Sequence, residues 1–329
     1  MGGSSLRMKT PKVSICIPTY KYAHYLPEAI ESVLSQDFTD FELLIIDDDS
    51  PDHSREVIEG YARQDSRIVW SVNDRNIGMV ANWNLCLIRA QGEYVRFLFG
   101  DDYFVSSVSL RRMVEALDRH PEVVMTGSAR VVIDGSSRPL RVVSRFPDQS
   151  RHRGTAVVRR SLLEERNIVG EPSAVMFRRR MALRGFDPAY RQLVDLEMWF
   201  HLLGKGWYYH LGIPLTAFRE HADQQSVHNE RAGVLFEELV RINADYGCRP
   251  EIVNPFWRWL LACQATYRAR QRAGSDQSAA SDVEGRTFES HSIPIVGRFS
   301  LTLYRGIKPL VKLWRLISAG GKRCLWRSP

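Results

Sequence analysis

Metal-ligand spacing is missing from the cysteines of this sequence: Cys16, Cys86, Cys248, Cys263 and Cys324 are scattered along 329 residues without a Cys-x-x-Cys pair. That pattern suggests neither a zinc site nor a disulfide framework, and Cys16 lies inside an apolar run, so reduced, mostly packed thiols are expected. Long hydrophobic runs are lacking too. None approaches the roughly 20 residues a helix needs to cross a bilayer, and residues 1–11 hold no hydrophobic segment of signal-peptide type. The expected location is the cytosol. A basic, glycine-rich phosphate loop is absent, which argues against phosphoryl-transfer chemistry, and no internal repeat is visible. Acidic residues are missing from 297–329, which carries eight Lys/Arg; the formal charge of +7 is therefore a property of this tail, and the rest of the chain carries a net −1. A basic tail points to an anionic surface rather than to a nucleic-acid-binding core.

What is present is an alternation of apolar runs with amphipathic stretches, the signature of β-α-β units and a largely parallel sheet with helices on both faces. Strands are expected at 13–17, 41–46, 68–72, 94–99 and 123–133, the last closed by the turn pair Asp134-Gly135. Helices are expected after Pro27 through Leu34, from a Ser54 cap through Tyr61, near 80–88 and over 107–119. Beyond these come a helix near 157–166, a loop Gly170-Glu171-Pro172-Ser173, a strand at 174–177 and a helix over 193–203. The organisation read from this is a main domain over 1–228, a helical extension over 229–273, a flexible Ser/Ala/Asp/Gly-rich linker over 274–292 and a basic amphipathic tail over 293–329.

Two acidic turns carry the functional signal. Asp47-Asp48-Asp49-Ser50 and Asp101-Asp102 each follow an apolar strand, and in open α/β sheets ligands bind outside the carboxyl ends of the strands. One shared acidic site is the expectation.

Taken in order, Val13-Ser14-Ile15-Cys16-Ile17-Pro18-Thr19-Tyr20, Ile46-Asp47-Asp48-Asp49-Ser50, Asn76-Ile77-Gly78, Gly92-Glu93-Tyr94 through Asp102, Gly185-Phe186-Asp187 and Asp195-Leu196-Glu197-Met198-Trp199 resemble the motifs of family 2 glycosyltransferases. The resemblance implies a GT-A fold, a nucleotide-sugar donor, a divalent cation (Mg2+ or Mn2+) and transfer with inversion at the anomeric carbon. It does not identify the sugar. It implies nucleotide contacts from Pro18, Thr19, Tyr20, Asp47, Asn76, Gly78 and Asp101, a metal held by Asp101 and His221, and a catalytic base at Asp195.

The residues' own chemistry agrees. An ionised Asp47 only accepts hydrogen bonds, which suits the N3–H of uracil or thymine, so a UDP- or dTDP-linked donor is expected. A departing diphosphate needs its charge neutralised, and a cation held by Asp101 would do so. The family's Asp-x-Asp is altered here: its first position is Phe99, leaving Asp101 and Asp102, the latter free to hold water or cap the next helix. Inverting transfer requires one base for the acceptor hydroxyl, and Asp195 matches it, although Val194 stands where relatives often have Glu. Glu197, two positions on, should face elsewhere. Arg219 is a candidate phosphate partner by the same logic as His221.

From Ile307, apolar Leu310, Val311, Trp314 and Ile317 repeat at helical spacing with Lys308, Lys312 and Arg315 between them, which suits the anionic inner face of a membrane carrying a lipid-linked glycan acceptor. The expected role is sugar transfer to a glycan or lipid-linked glycan hydroxyl, in polysaccharide or glycoconjugate biosynthesis. Alternatives are a catalytically inactive glycan-binding or scaffold protein on the same fold, and a nucleotidyltransferase. A nucleic-acid partner is not expected, because the positive charge is terminal and the crevice acidic.

Overall fold

A computed structural model of the protein describes residues 10–221, 224, 234–253 and 261. The chain forms two compact units, one of residues 1–158 with 167–238 and the other of 159–166 with 239–329. The first opens with β1 (Val13–Thr19), α1 (Leu26–Leu34), β2 (Phe41–Asp47), α2 (Ser54–Ala62), β3 (Ile68–Val72), α3 (Met79–Arg89) and β4 (Tyr94–Phe97). It continues through β5 (Tyr103–Phe104), α4 (Ser109–Arg119), β6 (Val123–Ile133), β7 (Pro139–Val143), β8 (Ser150–Arg153), the start of α5 (Gly154–Glu164), whose residues from 159 on belong to the second unit, β9 (Val175–Arg178), α6 (Val194–Leu203) and β10 (Trp207–Arg219). Helix α7 (Val234–Gly247) begins in the first unit and continues in the second.

The sheet runs β3-β2-β1-β4-β9-β6-β10-β5, with β7 paired to β6 and β8 to β10 off this path. Along the path only β9 and β5 run against the rest, so the sheet is mixed but dominated by one direction. Strand periodicity explains how both faces are covered. Val13, Ile15 and Ile17 share one face with Leu43 and Ile45 and pack with Leu26, Ile30 and Val33 of α1, Ile58 of α2 and Leu110, Met113 and Leu117 of α4. The alternate positions turn to α3 and α6: Cys16 meets Cys86, Phe97 meets Trp83, and Phe177 meets Trp199.

Several local expectations are revised. Ser54 does not cap α2 from outside; it is the first helical residue and its hydroxyl bonds Asp52 Oδ1 at 2.6 Å. Strand β4 ends at Phe97, because Phe99 to Asp102 form a tight turn closed by Asp102 N–H on the Phe99 carbonyl. Strands β5, β7, β8 and the long β10 lie where no strand is legible in the sequence. The proposed linker and basic tail lie outside the described residues, as does most of the helical extension.

Candidate active site

Parallel register delivers the acidic turns to one edge. Thr19 pairs with Asp47 at the exits of β1 and β2, and Leu98 N–H bonds the Cys16 carbonyl, so the chain leaving β4 emerges beside them. The turn after β2 is built from its own side chains. Asp47, 1% exposed, accepts from Ser50 N–H at 3.1 Å and from the Ser50 hydroxyl, while Ser50 Oγ accepts from Lys21 N–H at 2.9 Å. Burial pushes the Asp47 carboxyl up, and the two bonds from Ser50 oppose that shift. A carboxylate has about four lone-pair sites, so acceptor capacity remains beyond these two bonds.

Asp48 faces the other way. Its Oδ1 accepts from Asn73 Nδ2 at 2.8 Å and Ile77 N–H at 2.9 Å, its Oδ2 from Gly78 N–H at 2.9 Å, and its carbonyl from Asn76 Nδ2 at 3.1 Å. The expected nucleotide contacts Asn76 and Gly78 are thus placed by Asp48, and Gly78 sits at φ +88°, a left-handed conformation that favours glycine. Pro18 and Thr19 end β1; among the described residues the buried Thr19 hydroxyl has no partner, whereas Tyr20 is 39% exposed with the Lys21 ammonium over its ring.

The second turn brings Asp101 to His221: Oδ2 and Nε2 lie 3.1 Å apart, both side chains nearly buried. The Tyr22 phenol bonds the same carboxylate and sets its ring edge-on to His221. Asp102 does not cap the next helix, which begins at Ser109; it is fully buried and accepts Arg219 N–H at 2.9 Å, with the Ser173 hydroxyl on the same carboxylate. Burial and the neighbouring Asp101 push its carboxyl well up. Arg219 is not available to phosphate. Its guanidinium is 1% exposed, and Nε bonds the Asp101 carbonyl, Nη1 the Asp134 carbonyl and Ser137 hydroxyl, and Nη2 Glu28, beneath the ring of Tyr25. Phe99, at the position of the missing carboxylate, stacks obliquely on Trp83 with ring centroids 4.9 Å apart.

Asp195 is the second residue of α6. Its Oδ1 accepts Leu196 N–H at 2.7 Å and its Oδ2 accepts Asn167 Nδ2 at 2.8 Å. Burial pushes its carboxyl up to about 7, against the pull of the Leu196 bond and with a further push from the charge of Glu171. Glu171 is paired with Arg130 and also raises Asp102, so the loop 170–174 is electrostatically common to both carboxylates. The same loop is tied to the Asp101 turn, since Ser173 Oγ accepts Phe99 N–H at 3.0 Å. Glu197 points elsewhere, into a bidentate pair with Arg184.

A divalent cation fits this donor set sparingly. One carboxylate and one imidazole converge, and among the described residues no group of three His, Cys, Asp or Glu is close enough to hold a metal. Mg2+ commonly takes only one or two protein carboxylates and completes its shell with waters and substrate phosphates, so Asp101 and His221 suit a cation that arrives with a phosphorylated ligand. Sequence reasoning missed Tyr22, Asn167 and the bridging role of Glu171. Asn167 had a signal, a lone amide just past a helix, but nothing to link it to a residue 28 positions on.

The description "Glycosyl transferase family 2" matches residues 14–185. "Uncharacterized protein MT1568" of Mycobacterium tuberculosis (strain CDC 1551 / Oshkosh) is 33% identical over 210 residues, 60% of this chain and 64% of that protein, so the chain spans less than two thirds of its length. The "GalNAc(5)-diNAcBac-PP-undecaprenol beta-1,3-glucosyltransferase" of Campylobacter jejuni is 34% identical over 114 residues, 34% of this chain and 37% of that one. The crystal structure of S. aureus TarS 1-349 in complex with UDP-GlcNAc superposes with a TM-score of 0.66 at 16% identity, covering 94% of this chain and 88% of that one, which shows the shared GT-A fold.

Proposed function

Because the chain belongs to glycosyl transferase family 2, we propose that it is an inverting glycosyltransferase moving a sugar from a UDP- or dTDP-linked donor to a hydroxyl of a glycan or lipid-linked glycan. The observation that carries this reading is the bridging of Asp195, pushed up to about 7, to the Asp101 turn through the loop 170–174. A base works best with a value near the operating pH, and Asp195 has it.

Asp195 accepts the proton of the acceptor hydroxyl as that oxygen attacks the anomeric carbon from the face opposite the nucleotide. Asp47 accepts from the pyrimidine N3–H, and the unpartnered Thr19 hydroxyl and exposed Tyr20 ring lie at the same edge for ribose and base. Pro18, Asn76 and Gly78 complete the nucleotide cradle. Asp101 and His221 would hold Mg2+ or Mn2+, which supplies charge neutralisation to the departing diphosphate. The loop 170–174 excludes water on the acceptor side. TarS, of the same fold, is described with UDP-GlcNAc, and the Campylobacter relative is named for an undecaprenol-linked acceptor, which supports a UDP-sugar and a lipid carrier. The basic stretch from Ile307, outside the described residues, would bring the enzyme to anionic lipid at the inner membrane face.

The test is nucleoside diphosphate release from a panel of UDP-, dTDP- and GDP-sugars, with and without Mg2+ or Mn2+, for wild type, Asp195→Asn and Asp101→Ala. Both substitutions should reduce acceptor-dependent release by about a hundredfold or more; wild-type rates in both would sink the assignment. Co-sedimentation of the full chain with anionic but not neutral vesicles tests the membrane contact, and equal partitioning removes it.

A further inference from the structure

Asp195 needs a partner that fixes its carboxylate, and Val194 cannot be one. The structure supplies Asn167. Its Nδ2 donates to Asp195 Oδ2 at 2.8 Å and to the Gly170 carbonyl at 3.1 Å, while its Oδ1 accepts Val169 N–H at 3.1 Å and Gly170 N–H at 3.0 Å. Two backbone donors on Oδ1 fix which end of the amide faces Asp195, and all four of its hydrogen-bonding positions are committed. The platform beneath is itself anchored: Gly170, at φ +123°, also accepts Trp199 Nε1–H at 2.9 Å from within α6, and the next residue, Glu171, is paired with Arg130 of β6. Asn167 is thus welded to the helix that carries Asp195 as well as to the loop on the acceptor side.

We propose that Asn167 is the positioning residue of this enzyme's base: it holds Asp195 Oδ2 by one N–H, so that with Leu196 N–H on Oδ1 the carboxylate plane is fixed and the remaining lone pairs meet the acceptor hydroxyl. The inference rests on the reading of Asp195 as the base. The charged group acting on Asp195 is Glu171, itself paired with Arg130; Glu197, on the same helix, is turned away into its pair with Arg184. Asn167 is the uncharged donor among them, and a donor to a carboxylate favours its ionised form.

Asn167→Asp separates positioning from scaffolding. It keeps an oxygen for Val169 and Gly170 N–H but replaces the donor to Asp195 with a second carboxylate oxygen. Asp195 is followed by carboxyl-carbon NMR of [13C]aspartate-labelled protein, with Asp195→Asn supplying the assignment, a measurement that needs no acceptor. The expected result is an Asp195 midpoint raised by about one pH unit or more, thermal melting unchanged at pH 4 but lowered at pH 7 and above as that higher midpoint requires, and UDP release from UDP-GlcNAc lowered about tenfold at pH 7 with its acid limb displaced the same way. Asn167→Ser, which also loses the donor at this reach, should displace the midpoint upward by less and covers the case in which the aspartate variant does not fold. An unmoved midpoint in the folded variants overturns the inference even if Asp195→Asn abolishes release. Wild-type release by Asp195→Asn overturns the base assignment instead.

Discussion

Replacing Asp195 by Asn should stabilise the protein while silencing it. The carboxyl ordinarily titrates at 3.8 and is pushed up to about 7 in the folded chain by burial. Between those values the folded state binds more protons than the unfolded one, so stability falls as pH rises through the window; below about pH 4 both states are protonated and the penalty vanishes, and above about 7 it is complete. At 1.36 kcal/mol per unit the shift corresponds to roughly 4 kcal/mol. Asp195 keeps some exposed surface, and discounted for that the contribution is about 2 kcal/mol, or on the order of 5 °C in melting temperature for a domain of this size. Asparagine keeps an oxygen for Asn167 Nδ2 and carries no charge to desolvate; its amide nitrogen loses the bond from Leu196 N–H, a cost that does not vary with pH. Thermal melts of wild type and Asp195→Asn at half-unit steps from pH 4 to 8.5 give the difference directly. It should be smallest at pH 4, grow through pH 6 and level off above 7. A variant that is less stable than wild type at pH 8, or a difference independent of pH, refutes the reasoning.

Asp48→Asn, nearly isosteric, turns an acceptor of three hydrogen bonds into a group that presents N–H to N–H. Bonds to a charged acceptor contribute about 1.5–3 kcal/mol each and are not additive, so a loss of about 3 kcal/mol in urea unfolding is expected, with faster amide exchange at Ile77 and Gly78; a loss under about 1 kcal/mol would show that the loop holds itself. Phe99→Asp restores a second carboxylate beside Asp101 and should tighten Mn2+ binding, followed by electron paramagnetic resonance, by about tenfold. The lost ring contact with Trp83 should cost about 1–2 kcal/mol, and unchanged Mn2+ affinity would show that position 99 does not face the cation.

The strands that a reader of the sequence can find are those whose neighbours are apolar. Val13–Thr19, Phe41–Asp47 and Ile68–Val72 announce themselves, and the helices between them follow from spacing and from Pro27. Strand β10 does not, because Gly212 and Pro214 interrupt Trp207–Arg219 and read as a turn; the sheet absorbs them as register shifts between Leu211 and Thr216, where proline's missing donor is tolerated. Buried charge is invisible for a related reason. Arg96 looks like the polar member of an alternating strand, yet it is fully buried, stacked on Phe104 and bonded to the Ser173 carbonyl. The acidic clusters were legible as clusters, but which carboxylate shapes the turn and which faces a ligand depends on partners far along the chain: Ser50 for Asp47, Gly78 for Asp48, Arg219 for Asp102.

Exposed hairpins usually tolerate insertions, since few side chains elsewhere depend on them. The one joining β6 to β7 is an exception. The Asp134 carbonyl and Ser137 hydroxyl grip the same guanidinium that touches the backbone of Asp101 and lies two residues before His221. Lengthening that tip by a single residue would pull on Arg219 and drag the imidazole off the carboxylate, so a loop distant in sequence from every catalytic motif has its length dictated by the chemistry it never touches.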